Sequence, residues 1–149
     1  KRNESIVFAE SCTGGLLSSQ ITSVAGSSKV FKGSVIAYSN EIKNLIINVP
    51  KDLLNKYGAV SEEVAESMAI GVKNKLNSDW AISVSGIAGP NGGSQSKPIG
   101  LVYIAITGPN NETVRPVIVA ANKPELSNKS LTLDNSNNVR TRPTEIISS

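Results

Sequence analysis

The sequence contains no histidine. That removes imidazole as a general base and the commonest zinc ligand, so any hydrolytic chemistry must find its base elsewhere. It has a single cysteine, Cys12, which excludes an internal disulfide framework and fits a reducing compartment. No run of 18 apolar residues exists, so no membrane-spanning helix is expected. Aromatic residues make up only 4% of the chain, and its 15 lysines and arginines are scattered rather than striped, for a net charge of +3. Direct nucleic-acid binding is therefore not expected. The opening Lys1-Arg-Asn-Glu4 has no leader character, and a cytoplasmic location is expected.

What is present is an ordinary globular composition, 39% hydrophobic and 18% charged over 149 residues. A chain of this length is expected to form one domain and to bury roughly two-thirds of its unfolded surface. Residues 1–149 read as that single domain, with 122–149 its least patterned part. No internal repeat or long linker appears.

The first stretch, Ile6 to Ala9, is a short apolar run that reads as a buried strand. Glu10-Ser-Cys-Thr-Gly-Gly15 follows as a turn, and Leu16, Leu17, Gln20, Ile21 and Val24 recur at helical spacing, predicting a helix from about Thr13 to Val24. Gly33 to Tyr38 reads as the second strand. Ser39 caps the next helix, which carries Lys43 about one turn in. Pro50 starts a short helix over Lys51 to Tyr57 that Gly58 ends, and Ser61-Glu-Glu63 starts another that reaches Leu76. Met68 falls on its apolar face as core filling. Trp80 to Val84 is a strand, Ser85 to Gly93 a glycine-rich loop, and Leu101 to Thr107 and Thr113 to Ala121 a hairpin. Pro116 marks the last strand as an edge. Beyond Asn122 a final helix would suit the architecture, but the asparagine-rich sequence is a poor helix former. The order β-α-β-α-α-β-β-β predicts a three-layer α/β/α domain.

Open α/β sheets bind ligands at the carboxyl ends of their strands, which puts the Ser11 turn at the candidate site. Amide or ester hydrolysis needs a nucleophile, a base and donors for the oxyanion. Ser11 is best placed as nucleophile, with Cys12 beside it as a competitor. Lys43 can serve as base if its surroundings lower its pKa, in the manner of known Ser-Lys pairs. Tyr38 lies at the same sheet edge and could orient Lys43 or relay a proton. The N–H groups of Thr13, Gly14 and Gly15 could hold an oxyanion. Glu10 could anchor a substrate or donate a proton, or be only a surface residue. The Gly86–Gly93 loop lacks the lysine and context of a phosphate-binding P-loop, but its amides could hold a phosphate or merely connect two strands.

Four blocks, Glu10 to Gly15, Gly33 to Lys43 with Tyr38-Ser-Asn-Glu41, Gly58 to Glu63, and Ser85 to Gly93 with Lys97-Pro-Ile-Gly100, resemble the C-terminal domain family of the competence/damage-inducible protein CinA. The likeness runs from about Ser5 to Thr107. It implies an α/β/α three-layer sandwich with a mixed, mostly parallel five-stranded sheet, similar to anticodon-binding domains. It further implies a nicotinamide-nucleotide amidase, which hydrolyses the carboxamide of nicotinamide mononucleotide to nicotinic acid mononucleotide and ammonia in pyridine nucleotide recycling. Ser11 matches the family nucleophile, Lys43 its lysine and Tyr38 an active-site tyrosine. Ser85 stands where most members have threonine. Substrate contacts are expected from Glu10, Thr13, Gly14, Gly15, Ser85, Gly86, Gly89, Gly92 and Gly93, with Arg115 or a partner subunit as further phosphate donors. No metal or cofactor is required, and a homo-oligomer, a dimer by base rate, is expected. The alternative is a non-catalytic binding or accessory module linked to competence or the DNA damage response. Residues 114–149 lack the Gly-Asp-Arg-type segment and alanine- and leucine-rich helix usual in the family.

Overall fold

The computed structural model describes residues 3–110, 112–120, 129–133 and 139–143, with side chains described for 3–110 and 112. Three strands run parallel at its centre. β1 (Ile6–Glu10) lies between β2 (Phe31–Ile36) and β3 (Trp80–Gly86). β4 (Leu101–Thr107) pairs antiparallel with β3, and β5 (Thr113–Ala120) pairs antiparallel with β4 at the far edge. Pro116, which cannot donate to a ladder, thus sits on an edge strand as its chemistry requires.

Alternation along β1 sorts the two faces. Val7 and Ala9 point to one side and are fully buried with Ala81, Ile47, Val49, Val64, Met68 and Val72. This is the main core, covered by α2 (Asn40–Ile47), α3 (Lys51–Tyr57) and α4 (Glu62–Lys75). Each such side chain stabilises the fold by about 1.5–3 kcal/mol relative to exposure. Phe8 and Glu10 point to the other side, where α1 (Leu16–Thr22) lies beside Ile82, Val84, Ile104 and Ile106.

The helix starts follow local chemistry. The Ser39 hydroxyl accepts from the Ile42 amide at 3.2 Å and Ser61 from the Val64 amide at 3.3 Å, each satisfying one orphan N–H. The first helix begins later than its spacing predicts, at Leu16 rather than near Thr13. Gly14 and Gly15 take φ of 57° and 106°, a left-handed turn that cannot join a right-handed helix. The second strand begins at Phe31, two residues before Gly33, and β3 runs on to Gly86, so Ser85 is a strand residue and not part of the loop. Within the expected tail, β6 (Lys129–Leu133) and β7 (Val139–Pro143) pair as an antiparallel ribbon. The rest of 122–149 lies outside the described residues.

The expected fold class needs correction. The body of the domain is an α/β/α three-layer sandwich on a four-stranded mixed sheet, β2-β1-β3-β4, with four helices. β5 extends that body by an antiparallel ladder. Two of the ladders are parallel and two antiparallel, so the sheet is not mostly parallel and the likeness to anticodon-binding domains is not kept. The reason is connectivity: β3, β4 and β5 follow one another without helices, and strands joined without a helical crossover pair antiparallel. Among the described residues no helix is long and apolar enough to cross a membrane.

Gly71 sets how closely α4 approaches α2, since a Cβ there would lie 1.9 Å from the Ile47 carbonyl oxygen. Alanine is favoured over glycine inside a helix by about 1 kcal/mol. The clash with backbone outweighs this, so Gly71→Ala should lower stability by about 2–3 kcal/mol. A lower urea midpoint is expected; a midpoint raised above wild type would contradict this packing.

Candidate active site

β1 and β2 end side by side, and the chain leaving each one builds the site. The Ser11 amide donates to the Val84 carbonyl at 2.9 Å and the Ala37 amide to the Glu10 carbonyl at 2.8 Å, which extends the sheet by one residue on either side. Ser11 continues the Val7-Ala9 alternation and faces α2. There Lys43 Nζ lies 3.0 Å from Ser11 Oγ, 2.8 Å from the Ala37 carbonyl oxygen and 3.1 Å from that of Tyr38. Lys43 is buried, with 1% of its surface exposed.

This arrangement disfavours the charged form of the lysine. Taking an ammonium out of water costs several kcal/mol, about what pushes a buried lysine toward neutrality. Burial drives the Lys43 pKa below its ordinary 10.5, with a smaller opposing effect of Cys12. A neutral amine has two N–H donors and one lone pair. In that form the two carbonyls would accept both protons and the lone pair would face Ser11 Oγ; as an ammonium, Nζ would donate to all three oxygens. Cys12, half-buried in the same turn, has its thiol pKa pushed up, foremost by burial, so it stays a thiol and is the poorer nucleophile.

Glu10 adjoins Ser11 in sequence but faces the opposite side of the sheet. Its carboxylate is wholly buried and accepts from the Gly15 and Leu17 amides at 3.0 Å each, the Ser18 amide at 2.8 Å and the Ser18 hydroxyl at 2.5 Å. Burial alone would raise its pKa. The Ser18 hydroxyl and the Ser18 and Leu17 amides outweigh that and hold it below the usual value. Glu10 thus caps α1 and complements its positive end, rather than meeting a substrate.

Two of the three expected oxyanion donors are also engaged. The Gly15 amide serves Glu10, and the Gly14 amide donates to the Ser11 carbonyl at 3.1 Å. None of Thr13, Gly14 and Gly15 is among the residues that line the cleft. Tyr38 reaches Lys43 through its carbonyl; its ring is 72% exposed at the mouth of the cleft, and its hydroxyl bonds neither Ser11 nor Lys43. Ser85 lines the cleft, but its hydroxyl donates to the Ala59 carbonyl at 2.7 Å, so that proton is committed to the protein. Gly86, Gly89 and Gly92 line the cleft, whereas Gly93 packs against Ile99, where a Cβ would come within 2.9 Å of the backbone. Arg115 has its side chain outside the described residues.

The cleft holds about 290 Å³, the lower end for a small-molecule site. Ala59 and Val60 form one wall and the Ile87–Gly92 segment another, with Asn91 its one side-chain amide; sequence reasoning missed Ala59, Val60 and Asn91. A larger cavity of about 500 Å³ between α2 and α3 is lined by Asn40, Glu41, Asn44 and Lys51 among others, with no serine or cysteine among them. Chemistry, not size, selects the smaller one. Among the described residues no group of three or more histidine, cysteine, aspartate or glutamate side chains converges to hold a metal.

Comparison with known proteins agrees with this architecture. The family described as CinA C-terminal domain matches residues 1–133. A CinA-like protein of Prochlorococcus marinus strain MIT 9215 is 73% identical over 111 residues, which cover 74% of this chain and 26% of that protein. The chain thus spans about a quarter of the length of the curated relatives it matches. Among solved structures, the competence/damage inducible protein CihA of Agrobacterium tumefaciens superposes with a TM-score of 0.76 at 37% identity, covering 79% of this chain and 71% of that one. The competence damage-inducible protein A (ComA) of Klebsiella pneumoniae subsp. pneumoniae gives a TM-score of 0.77 at 31% identity, covering 82% and 74%. The chain belongs to the CinA C-terminal domain family.

Proposed function

We propose that this domain is a nicotinamide-nucleotide amidase. It would hydrolyse the carboxamide of nicotinamide mononucleotide to nicotinic acid mononucleotide and ammonia in pyridine nucleotide recycling, acting as a cytoplasmic homodimer. The observation that carries the chemistry is the buried Lys43 amine 3.0 Å from Ser11 Oγ, with two carbonyls accepting its protons. The substrate rests on the resemblance of the Ser11, Lys43 and Ser85–Gly93 blocks to the amidases of the family.

Neutral Lys43 takes the Ser11 proton as Oγ attacks the carboxamide carbon. The oxyanion needs a donor, and of the Ser11–Gly15 turn only Ser11 and Cys12 line the cleft, so the Cys12 amide is the candidate. Lys43 then returns the proton to the leaving nitrogen, ammonia departs, and an ester to Ser11 remains. Water enters, gives a proton to the same lysine, and attacks the ester; the proton returns to Ser11 as the acid leaves. The cationic pyridinium withdraws electrons from the carbonyl and eases both attacks. Lys43 is the one lysine or arginine lining the cleft among the described residues, and this chemistry needs it as the neutral amine. The amides of the Gly86–Gly92 segment are the phosphate donors proposed from the cleft lining, with Arg115 or a partner subunit as the alternatives.

Ser11→Ala and Lys43→Met should each lower ammonia release from nicotinamide mononucleotide by about 10³-fold or more, because the pair acts as a unit. Unchanged circular dichroism would show that folding is intact. Retained activity in Ser11→Ala, or none in the folded wild type, would overturn the reading and favour a binding role.

The pH dependence follows from the direction of the Lys43 shift. The active form is the neutral amine, and its folded-state pKa lies below 10.5. Wild-type kcat/KM should therefore rise with pH and level off below 10.5. A rise continuing through 10.5 would show an unperturbed lysine.

A further inference from the structure

We propose that Lys97 is a clasp that joins the two walls of the cleft and so fixes its width, a positioning residue for the substrate of the activity proposed above. One wall is the turn between α3 and α4, Gly58 to Val60. The other is the loop that leaves β3. Neither belongs to a regular element, so each needs ties to hold its place.

The ties converge on the same few carbonyls. Lys97 Nζ donates to the Tyr57 carbonyl at 2.6 Å, across 40 residues of sequence. Tyr57 is the last residue of α3, where the carbonyls have no helical partner and the helix end favours a cation. Gly58 makes room for the ammonium, since a Cβ there would lie 3.2 Å from Nζ. One residue further, the Ala59 carbonyl accepts the Ser85 hydroxyl at 2.7 Å. Next to that, the Ser61 hydroxyl donates to the Gly58 carbonyl at 3.1 Å.

Lys97 is in turn anchored in its own loop. Its amide donates to Ser94 Oγ at 3.0 Å and its carbonyl accepts from the Ser94 amide at 2.8 Å. The Gly100 amide donates to the Ile87 carbonyl at 2.7 Å and the Ile87 amide to the Leu101 carbonyl at 2.9 Å, passing that order to the cleft wall. Lys97 does not line the cleft itself, and it touches neither Ser11 nor Lys43, which stand on β1 and α2. Loss of the clasp loosens the substrate's walls and leaves the reacting pair in place. The signature is a change in KM with kcat preserved.

The test measures steady-state hydrolysis of nicotinamide mononucleotide and amide hydrogen exchange in wild type, Lys97→Met, Lys97→Gln and Lys97→Arg. Lys97→Met and Lys97→Gln should raise KM about fivefold or more with kcat within about twofold, the scale of unfixing one ordered loop. Lys97→Arg, which can still donate to Tyr57, should restore KM to within about twofold of wild type. Exchange should quicken in residues 57–61 and 86–93 and stay unchanged in β1. An unchanged KM, or exchange that rises equally in β1 and β3, overturns the clasp, the latter because it marks general destabilisation. Should the wild type release no ammonia, the amidase reading fails by itself and local exchange alone decides the clasp.

Discussion

One nitrogen atom organises this domain. Lys43 Nζ is held by two backbone carbonyls that exist where they do because β2 ends beside β1. Those carbonyls accept from it, burial disfavours its charge, and Ser11 Oγ stands 3.0 Å away. Each requirement reaches far into the fold. β1 must lie beside β2 for Ser11 to arise next to Ala37 and Tyr38, and Ser39 must cap α2 so that Lys43 falls one turn in. A lysine at the same sequence position but open to solvent would be an ammonium and no base.

The sheet carries a second buried charge-bearing group, and the contrast is instructive. Glu10 is as deeply buried as Lys43, yet it keeps its charge because four hydrogen-bond donors, three of them backbone amides at a helix start, converge on it. Lys43 has carbonyls and a hydroxyl beside it among the described residues, and burial shifts its pKa downward instead. Burial raises the cost of charge in both cases; the number and polarity of the partners decide which way each group titrates. The fold thus has a fixed negative charge on one face of β1, used to start α1, and a buried amine whose pKa is shifted down on the other.

Much of this was legible in the sequence. Capping residues and prolines marked α2, α3 and α4, since Ser39, Pro50 and Ser61 act locally and their neighbours do not alter them. The pairing of Ser11 with Lys43 followed from strand ends and from family likeness. What was not legible depended on direction. Period-two alternation sends Glu10 away from Ser11, a signal available in Val7-Phe-Ala-Glu-Ser11 but obscured by reading the turn as one cluster. The double glycine was read as part of a helix start, although its left-handed turn delays α1 and consumes two of the amides assigned to the oxyanion. Tyr38 was chosen for its ring, whereas its carbonyl makes the contact, and no side-chain pattern reports a backbone group. The mostly parallel sheet was taken from the family resemblance; the helix-free run from β3 to β5 argued otherwise.

The central claim is that Lys43 is a neutral amine at the pH where the site works. Its most direct test is titration of the lysine side chain by NMR in protein carrying carbon-13 at lysine Cε, with Lys43→Met identifying the signal. The account predicts a midpoint clearly below 10.5 for this lysine. A midpoint at or above 10.5 would mean a buried ammonium, and the site as described could not activate Ser11.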